Sequence, residues 1–332
     1  MKIYHQLSEF KKLPHAVVTI GTFDGVHFGH QKIIKRLCEL AKSSGGESVI
    51  LTFFPHPRMI IEPENQELKL INTIKEKAQI MADLGVDHLI ITPFTRDFSN
   101  MEAAAYIKNI LIDTIGTKEI IVGYDHRFGK DRKGGMKELM EHAKLFHYQI
   151  EEIPEQDVNE VAVSSTKIRK ALLNGEVALA STYLGYNFAI TGPVIKGDKI
   201  GRTIGFPTAN IFVEETYKLI PSDGIYAVTV EMETENQADQ VGLSTEILAA
   251  ATPASRNIYK GMAYIGQRPT INGMTRNIEV NIFDFNREIY GQQIKMNFLK
   301  FLRPDVKFTG LDTLKAQLEQ DKLDTLAFFK QS

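Results

Sequence analysis

Cysteine occurs once, at Cys38. A single thiol allows no intramolecular disulfide, and one chain cannot build a thiolate metal cluster from it; Cys38 reads as a small apolar filler on a helix. Long apolar runs are equally scarce. Val17 to Ile20, Ser48 to Phe54 and Ile120 to Val122 suit buried strands and fall far short of the ~20 residues of a membrane span, so no segment is expected to cross a bilayer. The opening MKIYHQLSEFKKLPHAVV sets charged residues around isolated apolar ones and lacks the apolar core and cleavage site of a signal peptide. A cytoplasmic protein is the expectation. Strong charge of one sign is missing too: a formal net charge of −2 argues against a nucleic-acid coat, while leaving room for a local phosphate groove.

The second half lacks histidine altogether. All nine (His5, His15, His27, His30, His56, His88, His126, His142 and His147) precede residue 150. An acid or base in the second half must therefore be another residue type, and two different chemistries are expected. No Walker A pattern is present either, which sets aside a P-loop kinase.

What is present is enough for two ordinary cores: 332 residues, 43% hydrophobic and 24% charged. Residues 16 to 153 alternate short β-branched runs with helical patterns, the signature of βαβ units. Strands are expected at Ala16 to Ile20, Ser48 to Phe53, His88 to Thr92, Glu119 to Val122 and Tyr148 to Ile153, with helices at Gln31 to Lys42, Met101 to Ile112 and Met136 to Phe146. This half reads as a doubly wound α/β domain. After Gly185 the pattern changes to Ile225 to Val230, Met262 to Ile265, Ile278 to Phe285 and Gln293 to Phe298, separated by Gly, Pro, Asp and Asn, which reads as a small antiparallel β-barrel. Leu311 to Phe329, with Leu311, Leu314, Leu318, Leu323 and Leu326, predicts a helical cover. Residues 231 to 257 read as a long hairpin excursion. The boundary is placed at 185, giving domains 1–185 and 186–332.

Two constellations carry chemistry. Directly after the first strand comes Gly21-Thr22-Phe23-Asp24-Gly25-Val26-His27-Phe28-Gly29-His30, leading into a helix. A helix N-terminus at a strand's carboxyl end offers free N–H groups to phosphates. Gly21, Gly25 and Gly29 permit close backbone approach, and His27 and His30 can face one side of the first turn to donate to a pentacoordinate phosphate. Farther on, Ser164-Ser165-Thr166-Lys167-Ile168-Arg169 offers a capped helix start and a guanidinium one turn later. The second constellation is Gly197-Asp198-Lys199-Ile200-Gly201-Arg202-Thr203-Ile204-Gly205-Phe206-Pro207-Thr208-Ala209-Asn210, a glycine-rich loop able to fold over phosphates. Thr208 and Asn210 alternate with Ala209 and so share a face, as a Mg²⁺–ATP site requires.

The first constellation resembles the HxGH nucleotidylyltransferase superfamily, and GTFDGVHFGH resembles its FAD synthetase branch. The likeness extends through Thr52-Phe53-Phe54-Pro55-His56-Pro57-Arg58 and Gly123-Tyr124-Asp125-His126-Arg127-Phe128-Gly129-Lys130. It implies that His27 and His30 stabilise the transferring phosphoryl group and that Gly21, Phe23, Gly25, Gly29, Ser164, Ser165, Thr166 and Arg169 bind ATP. Asp24, His56, Pro57, Arg58, Asp125 and Phe128 would bind FMN. The chain departs from the family at Phe54, where members often carry an acid, and at Asp125, where asparagine is frequent.

GRTIGFPTAN is similar to the riboflavin kinase signature, and the match continues through Gly261 to Ile271 and Ile278-Glu279-Val280-Asn281-Ile282-Phe283-Asp284-Phe285. That resemblance implies a six-stranded barrel with a closing helix and an ATP loop of Gly197, Lys199, Gly201, Arg202, Gly205, Phe206, Pro207, Thr208 and Asn210. Thr208 and Asn210 would serve the metal, and Glu279 would be the base for the ribityl hydroxyl. Members often have histidine where Asn281 stands, and no chemical role is assigned there. Phe301-Leu302-Arg303-Pro304 also matches, and Arg303 reads as a tie to the closing helix in preference to a phosphate ligand.

As a whole the chain resembles the bifunctional prokaryotic riboflavin kinase/FAD synthetase family, implying riboflavin, FMN, FAD and ATP as partners, a divalent cation such as Mg²⁺, and no nucleic acid or membrane. Another HxGH enzyme would not need GRTIGFPTAN with Glu279. A binding protein without turnover would be free to lose His27, His30, Thr208, Asn210 or Glu279, and all five are here. An RNA-binding protein fits poorly with the near-neutral charge.

Overall fold

The computed structural model describes residues 1–62, 64, 68–124, 126–154, 163–197, 200–233, 256–270 and 273–331. The first six strands are β1 (Lys2–Tyr4), β2 (Ala16–Ile20), β3 (Glu47–Phe53), β4 (His88–Thr92), β5 (Thr117–Gly123) and β6 (Gln149–Ile153). They form a parallel sheet in the order β1-β4-β3-β2-β5-β6. Parallel strands need helices on both faces, so their residues are apolar on both sides. On β2, Ala16, Val18 and Ile20 join one core with Tyr106, Leu111 and Leu139. Val17 joins the other, with Ile34, Leu37, Ala78 and Met81. The doubly wound expectation holds, with β1 added at the edge: three residues, too short for a periodic signal.

Helix α1 (Phe28–Ser44) begins three residues before the sequence pattern suggests, because His27 acts as its N-cap in place of the usual Ser, Thr, Asp or Asn. After the short α2 (Pro57–Ile61) comes α3 (Ile74–Asp83), for which the sequence reading makes no provision. Its signal was available: Thr73 and Glu76 form a reciprocal capping box. The helix expected over Met101 to Ile112 is instead one α-turn, Ala103–Ala105, running into a π-helix, Tyr106–Ile115. The wider turns bring Tyr106, Ile107, Ile110, Leu111 and Ile115 into the core.

Strands β7 (Ala189–Ile195), β8 (Ala209–Ile211), β9 (Gly224–Glu233), β10 (Arg256–Thr270), β11 (Gly273–Ile282) and β12 (Gln293–Arg303) close an antiparallel barrel in the order β10-β11-β8-β7-β12-β9. At the two ends of the expected excursion β9 and β10 pair, Glu233 with Arg256; residues 234–255 lie outside the described residues. The strand expected to reach Phe285 stops at Ile282, and Asp284 turns the chain with φ 54°.

The closing helix spans Leu311–Gln331. Leu318 and Leu326 cover Phe206, Met262 and Phe283, whereas Leu311 and Leu323 are exposed. The helix is also tied by charge: Arg303 donates to both carboxylate oxygens of the buried Asp321, at 2.7 Å each. Arg303 is therefore the structural tie that the sequence favours.

Two compact units result: Met1–Thr166 with Tyr217–Leu219, and Lys167–Thr216 with Ile220 onward. Within the second, Ser222 donates its backbone N–H to Leu172 at the end of helix Ser165–Leu173. Within the first, the three-residue segment pairs with Leu70, whose N–H meets Tyr217 O at 2.7 Å and whose carbonyl accepts from Leu219 at 2.8 Å.

Candidate functional site

After β2, strand order departs to β3 and β4 on one side and to β5 and β6 on the other, the switch point at which a crevice opens beyond the strand ends. The chain leaving Ile20 turns through Phe23 (φ 46°), Gly25 (φ 85°) and Val26 (φ 34°). Left-handed backbone costs a residue with a Cβ about 1–2 kcal/mol, and at Gly25 that cost is absent. The Val26 N–H to Phe23 carbonyl bond, 3.1 Å, closes the turn and delivers His27 to the mouth of α1.

There His27 Nδ1 accepts the His30 N–H at 3.4 Å, which leaves the His27 proton on Nε2. The two rings stack at 3.6 Å with 17° between planes, and Phe23 meets His30 edge-on at 5.2 Å. Burial lowers the His27 pKa to about 4. His30 also falls well below 6.5, first from burial and then from the neighbouring His27 and Lys77. Both imidazoles are neutral at pH 7: they can donate hydrogen bonds but carry no charge. His30 Nδ1 is buried with no hydrogen-bond partner among the described residues.

Asp24 is turned inward. Its Oδ1 accepts the Ile71 N–H at 3.0 Å and its backbone carbonyl accepts from Ser165 Oγ at 2.9 Å. The Ser165 bond brings Ser165 to the glycine loop, with Thr166 exposed; Ser165 starts helix Ser165–Leu173, on which Arg169 lies one turn on in the second unit. Ser164 is half-buried just before it, and Gly21 and Gly29 flank the histidine turn.

His56 caps α2 by accepting the Arg58 N–H at 3.2 Å, with Pro57 at the first helical position and the Arg58 side chain exposed. Phe128 is buried on the other face of the sheet, 5.2 Å from Tyr106. It stacks on His126 at 5.7 Å, and among the described residues no ring contact joins it to His27 or His30. Asp125 lies outside the described residues.

The sequence reading missed Lys77. It lies on α3, is 3% exposed, and donates to the Thr22 carbonyl at 2.7 Å. Burial lowers its pKa to about 8, opposed by Asp24. It missed Lys218 as well, whose buried Nζ donates to Ile71 O at 2.7 Å and to Glu76 Oε2 at 2.5 Å.

In the barrel, the glycine loop forms the short helix Ile200–Thr203, which holds Gly201 and Arg202, and turns back at Gly205 (φ 88°). The Phe206 N–H returns to Gly201 O at 2.8 Å while its ring enters the core; Lys199 lies outside the described residues. Pro207 is exposed, and its carbonyl accepts from Asn281 Nδ2 at 2.7 Å, which gives Asn281 a structural task. Thr208 Oγ1 donates to Glu279 Oε2 at 2.7 Å, and Asn277 Nδ2 donates to Oε1 at 2.5 Å. Asn210 pairs with Glu279 in the β8–β11 register, so their side chains share a face. Gly197 lies so close to the Asn210 amide that a Cβ there would collide with it. The loop's Thr208 and Asn210 thus meet Glu279 across about seventy residues of chain. No group of three or more His, Cys, Asp or Glu residues is placed to hold a metal among the described residues.

Two family models match the chain, one described as FAD synthetase over residues 9–167 and one described as riboflavin kinase over residues 184–329. A bifunctional riboflavin kinase/FMN adenylyltransferase from Listeria monocytogenes is 38% identical over 314 residues, 94% of this chain and 92% of that protein. Its namesake in Escherichia coli K12 is 33% identical over 331 residues, 99% and 98% of the two chains. Among solved structures, one described as a macrolide-efflux protein from Streptococcus pneumoniae matches with a TM-score of 0.82 at 30% identity, covering 98% of each chain. No described helix in the present chain is long and apolar enough to cross a membrane.

Proposed function

The chain belongs to the bifunctional riboflavin kinase/FMN adenylyltransferase family, and from that premise we propose that His27 and His30 serve one of its reactions and Glu279 the other. The C-terminal half phosphorylates riboflavin to FMN with ATP; the N-terminal half transfers AMP from ATP to FMN, giving FAD and pyrophosphate. We take residues 1–185 and 186–332 as the two functional domains.

In adenylyl transfer the nucleophile, an FMN phosphate oxygen, is already anionic, so no base is needed. The oxygen attacks the α-phosphorus in line and pyrophosphate leaves. His27 Nε2–H and the His30 ring donate to the α-phosphate oxygens as charge develops there, an effect worth about 10²–10³-fold for a donor of this kind. Gly21, Phe23, Gly25, Gly29, Ser164, Ser165, Thr166 and Arg169 bind ATP around this turn. On the FMN side we assign His56, Pro57, Arg58, Asp125 and Phe128, with Asp24 acting through the Ile71 backbone it holds.

In the kinase, riboflavin's primary hydroxyl must give up a proton as it attacks the γ-phosphorus and ADP leaves. Glu279 accepts that proton. The observation that carries this reading is the Thr208–Glu279–Asn277 bond set, which orients both carboxylate oxygens. Gly197, Lys199, Gly201, Arg202, Gly205, Phe206 and Pro207 form the ATP loop. A Mg²⁺ ion fits this donor set: a hydroxyl that gives its proton to Glu279 keeps its lone pairs free, Asn210 adds a hard amide oxygen, and Mg²⁺ usually takes few protein ligands beside phosphates and water. When bound it supplies charge neutralisation at the phosphates. With ATP as its substrate, we place the protein in the cytoplasm.

Chromatography of flavins formed from riboflavin or from FMN, with ATP and Mg²⁺, tests the assignment. H27A should lose FAD formation from FMN by about 100-fold and keep FMN formation; E279Q should do the reverse. Normal kinase turnover in E279Q would remove Glu279 as the base.

A further inference from the structure

We propose that Lys77 is a phosphate-binding residue of the adenylyl-transfer site, furnishing the positive charge that the stacked histidines lack. The proposal rests on the assignment of that reaction to the His27/His30 turn. A buried ammonium in a purely structural role has its donors met by nearby carbonyls and carboxylates. Lys218 shows what that looks like: its Nζ reaches both Ile71 O and Glu76 Oε2. Lys77, the residue after Glu76, is buried equally well but makes one hydrogen bond, to Thr22 O. Two of its three N–H donors have no acceptor among the described residues.

The acid nearest in charge, Asp24, has committed Oδ1 to the Ile71 N–H. The open donors therefore sit beneath the Gly21–His30 turn together with a second uncommitted buried atom, His30 Nδ1, and His30 feels the charge of Lys77. An ammonium with donors to spare and an imidazole with an unbonded Nδ1 behind a phosphate loop form a cradle for a multiply charged anion, which accepts from both.

The reaction gathers the phosphates of ATP and FMN at one point, where mutual repulsion must be offset. Neutral imidazoles provide directional donors without charge; Lys77 provides charge. The charged and titratable groups that interact with it are Asp24 on the turn and His30 at the start of α1. With its pKa lowered to about 8, the ammonium is charged below that pH and deprotonates above it. ATP capture by the free enzyme should weaken as pH rises through this range.

The test follows FAD formation from FMN and ATP by the full-length wild type, K77M and K77R from about pH 6 to 10. Riboflavin phosphorylation by the same samples monitors the barrel. K77M is expected to lower FAD formation by about 100-fold with kinase turnover unchanged. K77R, whose guanidinium stays charged throughout, should recover part of the rate and lose the alkaline fall in kcat/KM for ATP that the wild type shows near pH 8. FAD formation in K77M within a factor of about three of wild type, or an alkaline limb in K77R at the wild-type pH, would overturn the proposal. H27A, run alongside, separates the two ideas. If H27A makes FAD normally, the site assignment itself fails; if H27A is inactive and K77M is not, only the role of Lys77 fails.

Discussion

His27 caps a helix, stacks on His30 and is held neutral, and these three facts have one cause, its burial at the end of β2. Folding depresses its pKa from 6.5 to about 4, so between those values the unfolded chain binds a proton that the folded one refuses. Stability from this group is complete above pH 6.5 and declines as pH falls toward 4, by at most about 3 kcal/mol. Denaturant titrations of wild type and H27Q across that window should show the wild-type slope reduced in the variant. Asp24 permits a second check. D24A strands the buried Ile71 N–H, and leaving such a donor unmet costs about 1–3 kcal/mol, so its unfolding midpoint should fall. D24N, which keeps an acceptor oxygen, should recover most of the loss.

Helices carry the next level of constraint. The capping box at Thr73 and Glu76 starts α3 in the register that buries Lys77, Ala78 and Met81 together. On the barrel, the helix Leu311–Gln331 is held by Leu318 and Leu326, by the Arg303–Asp321 pair, and by Lys260 and Lys300 lying over Phe329 and Phe328. Removing one partner of a buried ion pair costs about 3–5 kcal/mol, whereas replacing both by apolar groups is often neutral. D321A should therefore lower the barrel's melting temperature, and R303M/D321L should restore most of it. Phe206 lies under this helix at the end of the glycine loop, so riboflavin phosphorylation in D321A should fail at lower temperature than FAD formation does.

Over the whole molecule, the first unit is completed by residues far down the chain. Tyr217–Leu219 pairs with Leu70, and Lys218 sits on Glu76 and Ile71, which Asp24 holds in turn. K218M removes the cation paired with Glu76. On heating it should lose FAD formation before FMN formation, and equal loss of both would refute that order. Local information sufficed for much else. Strands rich in Val and Ile, the glycine turns, the helix of Met136 to Phe146 and both signature strings are contiguous, and neighbouring residues set the backbone preferences that make them recognisable. The π-helix was hidden because its apolar spacing is close enough to that of an α-helix to pass for one. The Thr208–Glu279 bond spans about seventy residues and exists through strand register. Lys77 and Lys218 carry no sign of burial in the letters around them, because a lysine is normally a surface residue. Whether its donors are met depends on carbonyls and carboxylates contributed from as far as 147 positions away. Chain composition and local pattern thus specified the two folds and their chemistry, while long-range packing selected which charges were buried and which were paired.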